Sequence, residues 1–121
     1  LFARANEARR ANETDRAIAL HEELQSKFPD SREASTSRVA LGRLLLDRAG
    51  DPGRARALFE RYLERDPSGP LAEEARVGRA LAAMRLGDRG GERGAWLEVL
   101  ERHPGSVHAQ RARQRLSELG N

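Results

Sequence analysis

Three histidines, two adjacent carboxylate pairs, a run of hydroxyls and one glycine-rich stretch are the places where this chain could do chemistry. A zinc site wants ligands about one helical turn apart with a third ligand near them. His103 and His108 instead straddle Pro104 and Gly105 and have no matched carboxylate, so they predict no metal site. His21 falls inside an apolar stripe and reads as a half-buried interface histidine. Glu22/Glu23 and Glu73/Glu74 are sequence neighbours. On a helix such side chains diverge by roughly 100°, which gives two solvated carboxylates and no acid/base couple. Ser35, Thr36 and Ser37 have no partnered base in the sequence. The stretch "GDRGGERG" (87–94) lacks the Gly-Lys-Ser/Thr ending and the preceding strand of a phosphate-cradling loop, so it reads as a turn between helices. With no cysteine there is no thiol nucleophile, disulfide or zinc–thiolate site. These residues predict no enzyme and no cofactor.

Charge offers a second kind of chemistry. Arg111, Arg113 and Arg115, with Arg102, His103 and His108 before them, make a basic patch diluted by a single acid, Glu118. Such a patch suits nucleic acid, an anionic surface or an acidic protein, and equally suits a soluble helix end. The net charge of +3 is too small to announce nucleic acid, and no specific nucleic-acid partner is expected. The aromatic residues Phe2, Phe28, Phe59, Tyr62 and Trp96 fall mostly on apolar stripes, which argues against a base-stacking platform.

The elements that carry these groups follow from a repeat. "HEELQSKFPDS", "FERYLERDPSG" and "WLEVLERHPGS" end on Pro29, Pro67 and Pro104, in steps of 38 and 37 residues. Each phrase follows a turn-like stretch and precedes an Ala-bearing helical run, so the unit is helix, turn, helix, proline stop. Ala55, Leu58, Phe59, Tyr62 and Leu63 form one apolar stripe at i, i+3, i+4, i+7 and i+8, and Ala95, Trp96, Val99 and Leu100 repeat it. Asp51-Pro52, Thr14, Ser106 and an Asp30/Glu33 capping box mark helix starts, while Gly50 and Gly87 mark left-handed helix ends. The predicted helices are 1–12, 14–28, 33–49, 52–65, 70–86, 91–102 and 106–119. With 38% hydrophobic residues against 34% charged, a thin core spread along an elongated shape fits better than a compact globule. No apolar run approaches the length of a membrane span. The chain begins at Leu1, which reads as a segment of a longer protein.

The stretch "GDPGRARALFERYLERDP" (50–67), with Gly50, Ala55, Phe59 and Pro67 in register, resembles the tetratricopeptide repeat. "FPDSREA" and "DPSGPLAEEA" resemble the variant repeats of bacterial envelope proteins: the BamD-type outer-membrane assembly lipoproteins and the periplasmic Tol–Pal-associated coordinator proteins. The third unit departs from the pattern, with Glu92 where the family favours Ala and Gly94 inside the helix, which implies a weaker hairpin. The first has His21 at the aromatic position.

The resemblance implies an all-α, right-handed α-solenoid in one repeat domain over 1–121. Its hairpins are about 1–29, 33–67 and 70–104, and a capping helix covers 106–119. On that cap Ala109, Ala112, Leu116 and Leu119 are expected inward, and Arg111, Arg113, Arg115 and Glu118 outward. The resemblance also implies a protein–protein interaction scaffold that takes a peptide or protein segment in a concave groove lined by the first helix of each hairpin. Arg9, Arg43 and Arg79, over an apolar floor including Val39, are the candidate groove residues. A basic-surface binder using Arg111, Arg113 and Arg115, or a structural and oligomerisation spacer, stays open, as does homo-oligomerisation. The envelope likeness implies a periplasmic or outer-membrane-associated setting, with a cytoplasmic scaffold as the alternative.

Overall fold

In a computed structural model, residues 1–120 are described. They form α1 (Phe2–Arg10), α2 (Thr14–Lys27), α3 (Arg32–Leu44), α4 (Pro52–Arg65), α5 (Ala72–Leu86), α6 (Arg89–Arg102) and α7 (Ala109–Leu119), with no strand among them. Each helix packs on the next in chain order, and α3 also touches α5 across the intervening α4. The result is an α-solenoid of helical hairpins, α1/α2, α3/α4 and α5/α6, closed by α7. No described helix is long and apolar enough to cross a membrane.

Local chemistry explains most of the boundaries. Asp51 caps α4 by accepting the Arg54 N–H at 3.2 Å, with Pro52 in the first turn. Asp88 does the same for α6 through the Gly91 N–H, so α6 starts at Arg89 and part of "GDRGGERG" is helix instead of turn. The cap of α3 is Ser31, which accepts the Ala34 N–H at 3.0 Å; Asp30 does not cap it. Ser106 and Thr14 do not cap either: α2 takes Glu13 at its N-cap without a side-chain bond, and α7 begins only at Ala109. Gly50 and Gly87 hold φ of 65° and 72°, the left-handed conformation that a side chain resists. The predicted helix 33–49 changes pitch at Leu44 and runs Leu45–Ala49 as a π turn, in which the hydrogen-bond ladder is rerouted. Arg85 of α5 donates to the Leu46 carbonyl there.

The core is a string of clusters, as a solenoid requires. Ala5, Ala8, Ala17, Leu20 and Leu44 fill the first junction; Val39, Leu41, Leu45, Phe59, Tyr62 and Leu63 the middle; Val77, Trp96, Val99 and Ala112 the last. Phe59 is 0% exposed and is held between Gly42 of α3 and Gly78 of α5. Only glycine lets two helix backbones approach one ring so closely.

Candidate functional site

The first helices of the second and third hairpins, α3 and α5, build a shallow groove. One end is lined by Arg32, Ser35, Thr36, Tyr62 and Asp66, the other by Arg43, Glu73, Glu74, Val77 and His108, and the two meet at Pro70. Ser35 donates to Asp66 Oδ2 at 2.5 Å, and the Tyr62 hydroxyl accepts the Leu71 N–H at 3.0 Å. Those bonds fix the floor near the turn before α5. Further along, Arg43 reaches Glu74 across the groove and Asp47 on its own chain segment, each at 3.4 Å. The Arg43 Nε is buried and has no acceptor. Glu73 is held by the Ser106 hydroxyl at 3.0 Å and lies 3.7 Å from His103. The groove thus carries both signs of charge in long, solvent-exposed pairs, which contribute only about 0–1 kcal/mol each and exchange readily for a better partner.

The four residues expected in one groove lie in four places. Arg43 lines the α3/α5 groove. Arg79 lies in a separate depression with Arg56, Glu60, Asp88, Gly91 and Gly94, and is ion-paired to Glu98. Arg9 is exposed on α1, near enough to His21 to depress its protonation. Val39 is 1% exposed and belongs to the middle core cluster beneath the surface. The helical period put Val39 on the same face as Arg43, but α3 is wedged between α2 and α4 and little of it besides the Arg43 edge reaches solvent. Of the basic patch, Arg111 and Arg113 are exposed, whereas Arg115 is turned inward to Glu92.

His21 is 1% exposed, not half-buried, and its Nδ1 lies 2.8 Å from the Ser37 hydroxyl, which also accepts a bond from Gln25 Nε2 at 3.0 Å. Ser37 therefore does have an imidazole partner, brought from sixteen residues away by the packing of α2 on α3. Burial, with the Arg9 charge beside it, pushes the His21 pKa down to about 4, so the ring is neutral at pH 7. A nucleophile and base sealed in a helix interface have no path to a substrate, and the pair reads as a satisfied polar core contact. Glu22 pairs with Arg54, Glu23 with Lys27, and Glu74 with Arg43. Among the described residues no group of His, Asp and Glu is placed to hold a metal ion.

The contact that sequence reading missed is at the last junction. Glu92 is 2% exposed; it accepts from Trp96 Nε1 at 2.9 Å and from Arg115 Nε and NH2 at 2.6 and 2.7 Å. The forked pairing holds the Glu92 carboxyl below its ordinary range, through the Arg115 hydrogen bonds first. In register the second and third units read Ala55/Glu92 and Phe59/Trp96, and α5 and α7 read Gly78/Arg115. Three small or apolar residues are exchanged together for a carboxylate, an indole and a guanidinium. The signal was the lone carboxylate at an otherwise apolar repeat position, which demands a partner.

The family model described as tetratricopeptide repeat matches residues 2–70 and, in a second, overlapping placement, residues 39–107. No curated protein matches the chain.

Proposed function

From the premise that the chain belongs to the tetratricopeptide-repeat family, we propose that it is an interaction module whose α3/α5 groove receives an extended segment of a partner protein. Repeats of this family are generally protein–protein interaction modules and typically non-catalytic scaffolds. The observation that carries the groove reading is the Arg43–Glu74 pair, two exposed opposite charges 3.4 Å apart on adjacent first helices. A bound segment with an acid and a base in reach re-pairs both, while its apolar side chain meets the exposed Pro70 ring.

In this reading the units 1–29, 33–67 and 70–104 act as one rigid platform and α7 closes it. The polar outer face of α7, with Gln110, Arg111, Arg113 and Gln114 exposed, supports that closing role. The likeness of the inter-hairpin segments to envelope variants makes a bacterial envelope the proposed setting, which fractionation of the tagged full-length protein tests.

The groove itself is tested with an array of extended peptides carrying mixed charge, read by fluorescence anisotropy. Arg43→Glu should weaken the peptides that bind the parent by about tenfold, and the charge swap Arg43→Glu with Glu74→Arg should recover affinity for peptides of reversed charge order. Equal binding by parent and Arg43→Glu refutes the groove assignment.

A further inference from the structure

Arg38 is almost completely buried, 1% exposed, yet its Nε and NH1 have no hydrogen-bond partner. Its NH2 donates to the Pro29 carbonyl at 2.8 Å, and Arg65 NH1 donates to the same oxygen at 2.9 Å. Two guanidinium groups thus converge on one neutral acceptor. Burial depresses the proton affinity of Arg38, and the charges of Arg61 and Arg65 depress it further. Asp30 and Asp66 are the nearby acids, but Asp30 is taken by Arg65 at 3.2 Å and Asp66 Oδ2 by Ser35. Arg61 makes no ion pair among the described residues.

The next repeat shows what is missing. Arg76 stands nine residues after Pro67, as Arg38 stands nine after Pro29. Its NH2 donates to the Pro67 carbonyl at 2.7 Å, its Nε to Glu98 at 3.2 Å, and its NH1 lies 2.9 Å from His103 Nε2. All three nitrogens are satisfied. Counting back from Pro104 and Pro67, the position of Glu98 is that of Arg61. In the first hairpin, counting back from Pro29, it is Glu23. The middle repeat alone reverses the charge at this position, which removes the acceptor of the guanidinium Nε and puts a second cation in its place; at the position of His103 it carries Asp66, which is turned to Ser35 and makes no bond to Arg38. A charged donor left unpaired in a protein interior is costly, and an anion offsets both the missing bond and the surplus charge of Arg38 and Arg61.

We propose that Arg38, Arg61 and Arg65 form a binding site for a phosphoryl group. The Nε and NH1 of Arg38 supply the buried donors, and Arg61 and Arg65, exposed and one turn apart on α4, swing aside to admit the anion and then close on it. Three guanidinium groups around one ligand match the charge and oxygen count of phosphate better than those of a carboxylate. The site adjoins the Asp66 end of the α3/α5 groove but shares no residue with the Arg43 end, so its failure leaves the Arg43 experiment untouched.

The test is the melting temperature of the protein in inorganic phosphate against chloride at equal ionic strength, with affinity from titration calorimetry. The parent should show a saturable rise in phosphate. Arg61→Glu should melt higher than the parent in chloride, because the new carboxylate does for Arg38 what Glu98 does for Arg76. It should also lose at least about tenfold in phosphate affinity. Arg61→Gln, a surface change that leaves the fold intact, should lose about threefold. Phosphate also stabilises proteins in general by exclusion from their surfaces, so the readout is the difference between parent and variant. A phosphoserine peptide that binds tighter than inorganic phosphate assigns the source to a modified protein, and equal binding assigns it to the free ion. A parent without a saturable response overturns the site. So does an Arg61→Glu protein that keeps the response or melts below the parent in chloride.

Discussion

Gly78→Ala puts the packing of the solenoid to a direct test. A Cβ at Gly78 would sit 2.5 Å from Phe59 Cζ and 2.6 Å from Cε2. Carbon atoms in contact prefer about 3.5–4.0 Å, so the ring must retreat by roughly 1 Å. It cannot do so freely, because the α3 backbone at Gly42 also abuts the ring, with a Cβ built there only 2.7 Å from Cε1. Overpacking of this kind costs about 1–3 kcal/mol, and a ring held against two helix backbones belongs in the upper half of that range. Replacing a helical glycine by alanine returns about 1 kcal/mol. The net loss is about 1–2 kcal/mol, or a fall of about 4–8 °C in melting temperature for a domain of this size. Gly94→Ala is the control: it lies in α6 with nothing within 4 Å of its Cβ, and should raise the melting temperature by a few degrees. In a Phe59→Leu background the penalty at residue 78 should shrink, since the smaller side chain leaves room. Thermal melts by circular dichroism measure all of these. A Gly78→Ala protein that melts at or above the parent would refute the claim that Phe59 sets the spacing of α3 and α5.

Further outcomes follow from two of the buried ionisable groups, Glu92 and His21. Glu92→Gln keeps a partner for Trp96 but loses the charge opposite Arg115, and should cost about 1–3 kcal/mol; intact melting with unchanged Trp96 fluorescence counts against a structural pair. Because the folded Glu92 pKa lies below its unfolded value of about 4.5, its contribution is complete above that pH and is lost as pH falls toward the folded value. Trp96, the single tryptophan, should therefore report loosening of α7 in acid, and a spectrum independent of pH down to full unfolding would contradict this. His21 also has a depressed folded pKa, about 4 against 6.5, so its contribution is present above pH 6.5 and declines as pH falls toward 4. The shift corresponds to about 3 kcal/mol. Denaturant titrations across that window should show a slope that His21→Phe removes, and an unchanged slope in the variant would rule the assignment out.

Much of the fold was legible because the repeat writes the same apolar stripe three times. Proline stops, the Gly50 and Gly87 helix ends and the Asp51 cap are local events, governed by φ preferences and short-range hydrogen bonds. The errors were local too. Ser31 took the cap expected of Asp30, and Asp88 started α6 at Arg89 inside the stretch expected to be a turn, because cap choice depends on small differences in φ and ψ at neighbouring residues. The π turn after Leu44 left no sequence mark.

The candidate sites were far less legible, and for one reason. Periodicity says which residues share a face, but not how much of that face a neighbouring helix covers. Val39 and Arg43 share a face of α3, yet one is core and the other surface. Ser37 and His21, Glu92 and Arg115, and Arg38 and Arg65 meet only when one helix packs on another, across separations that the chain alone leaves undetermined. By itself the sequence determined the helical units, their proline and glycine stops and their stacking, since each follows from φ preferences within a turn or from an apolar stripe that must be hidden. Tertiary structure alone decided which charges are paired, buried or left without a partner, because electrostatic free energy depends on distance and burial, and both are set by how the helices pack.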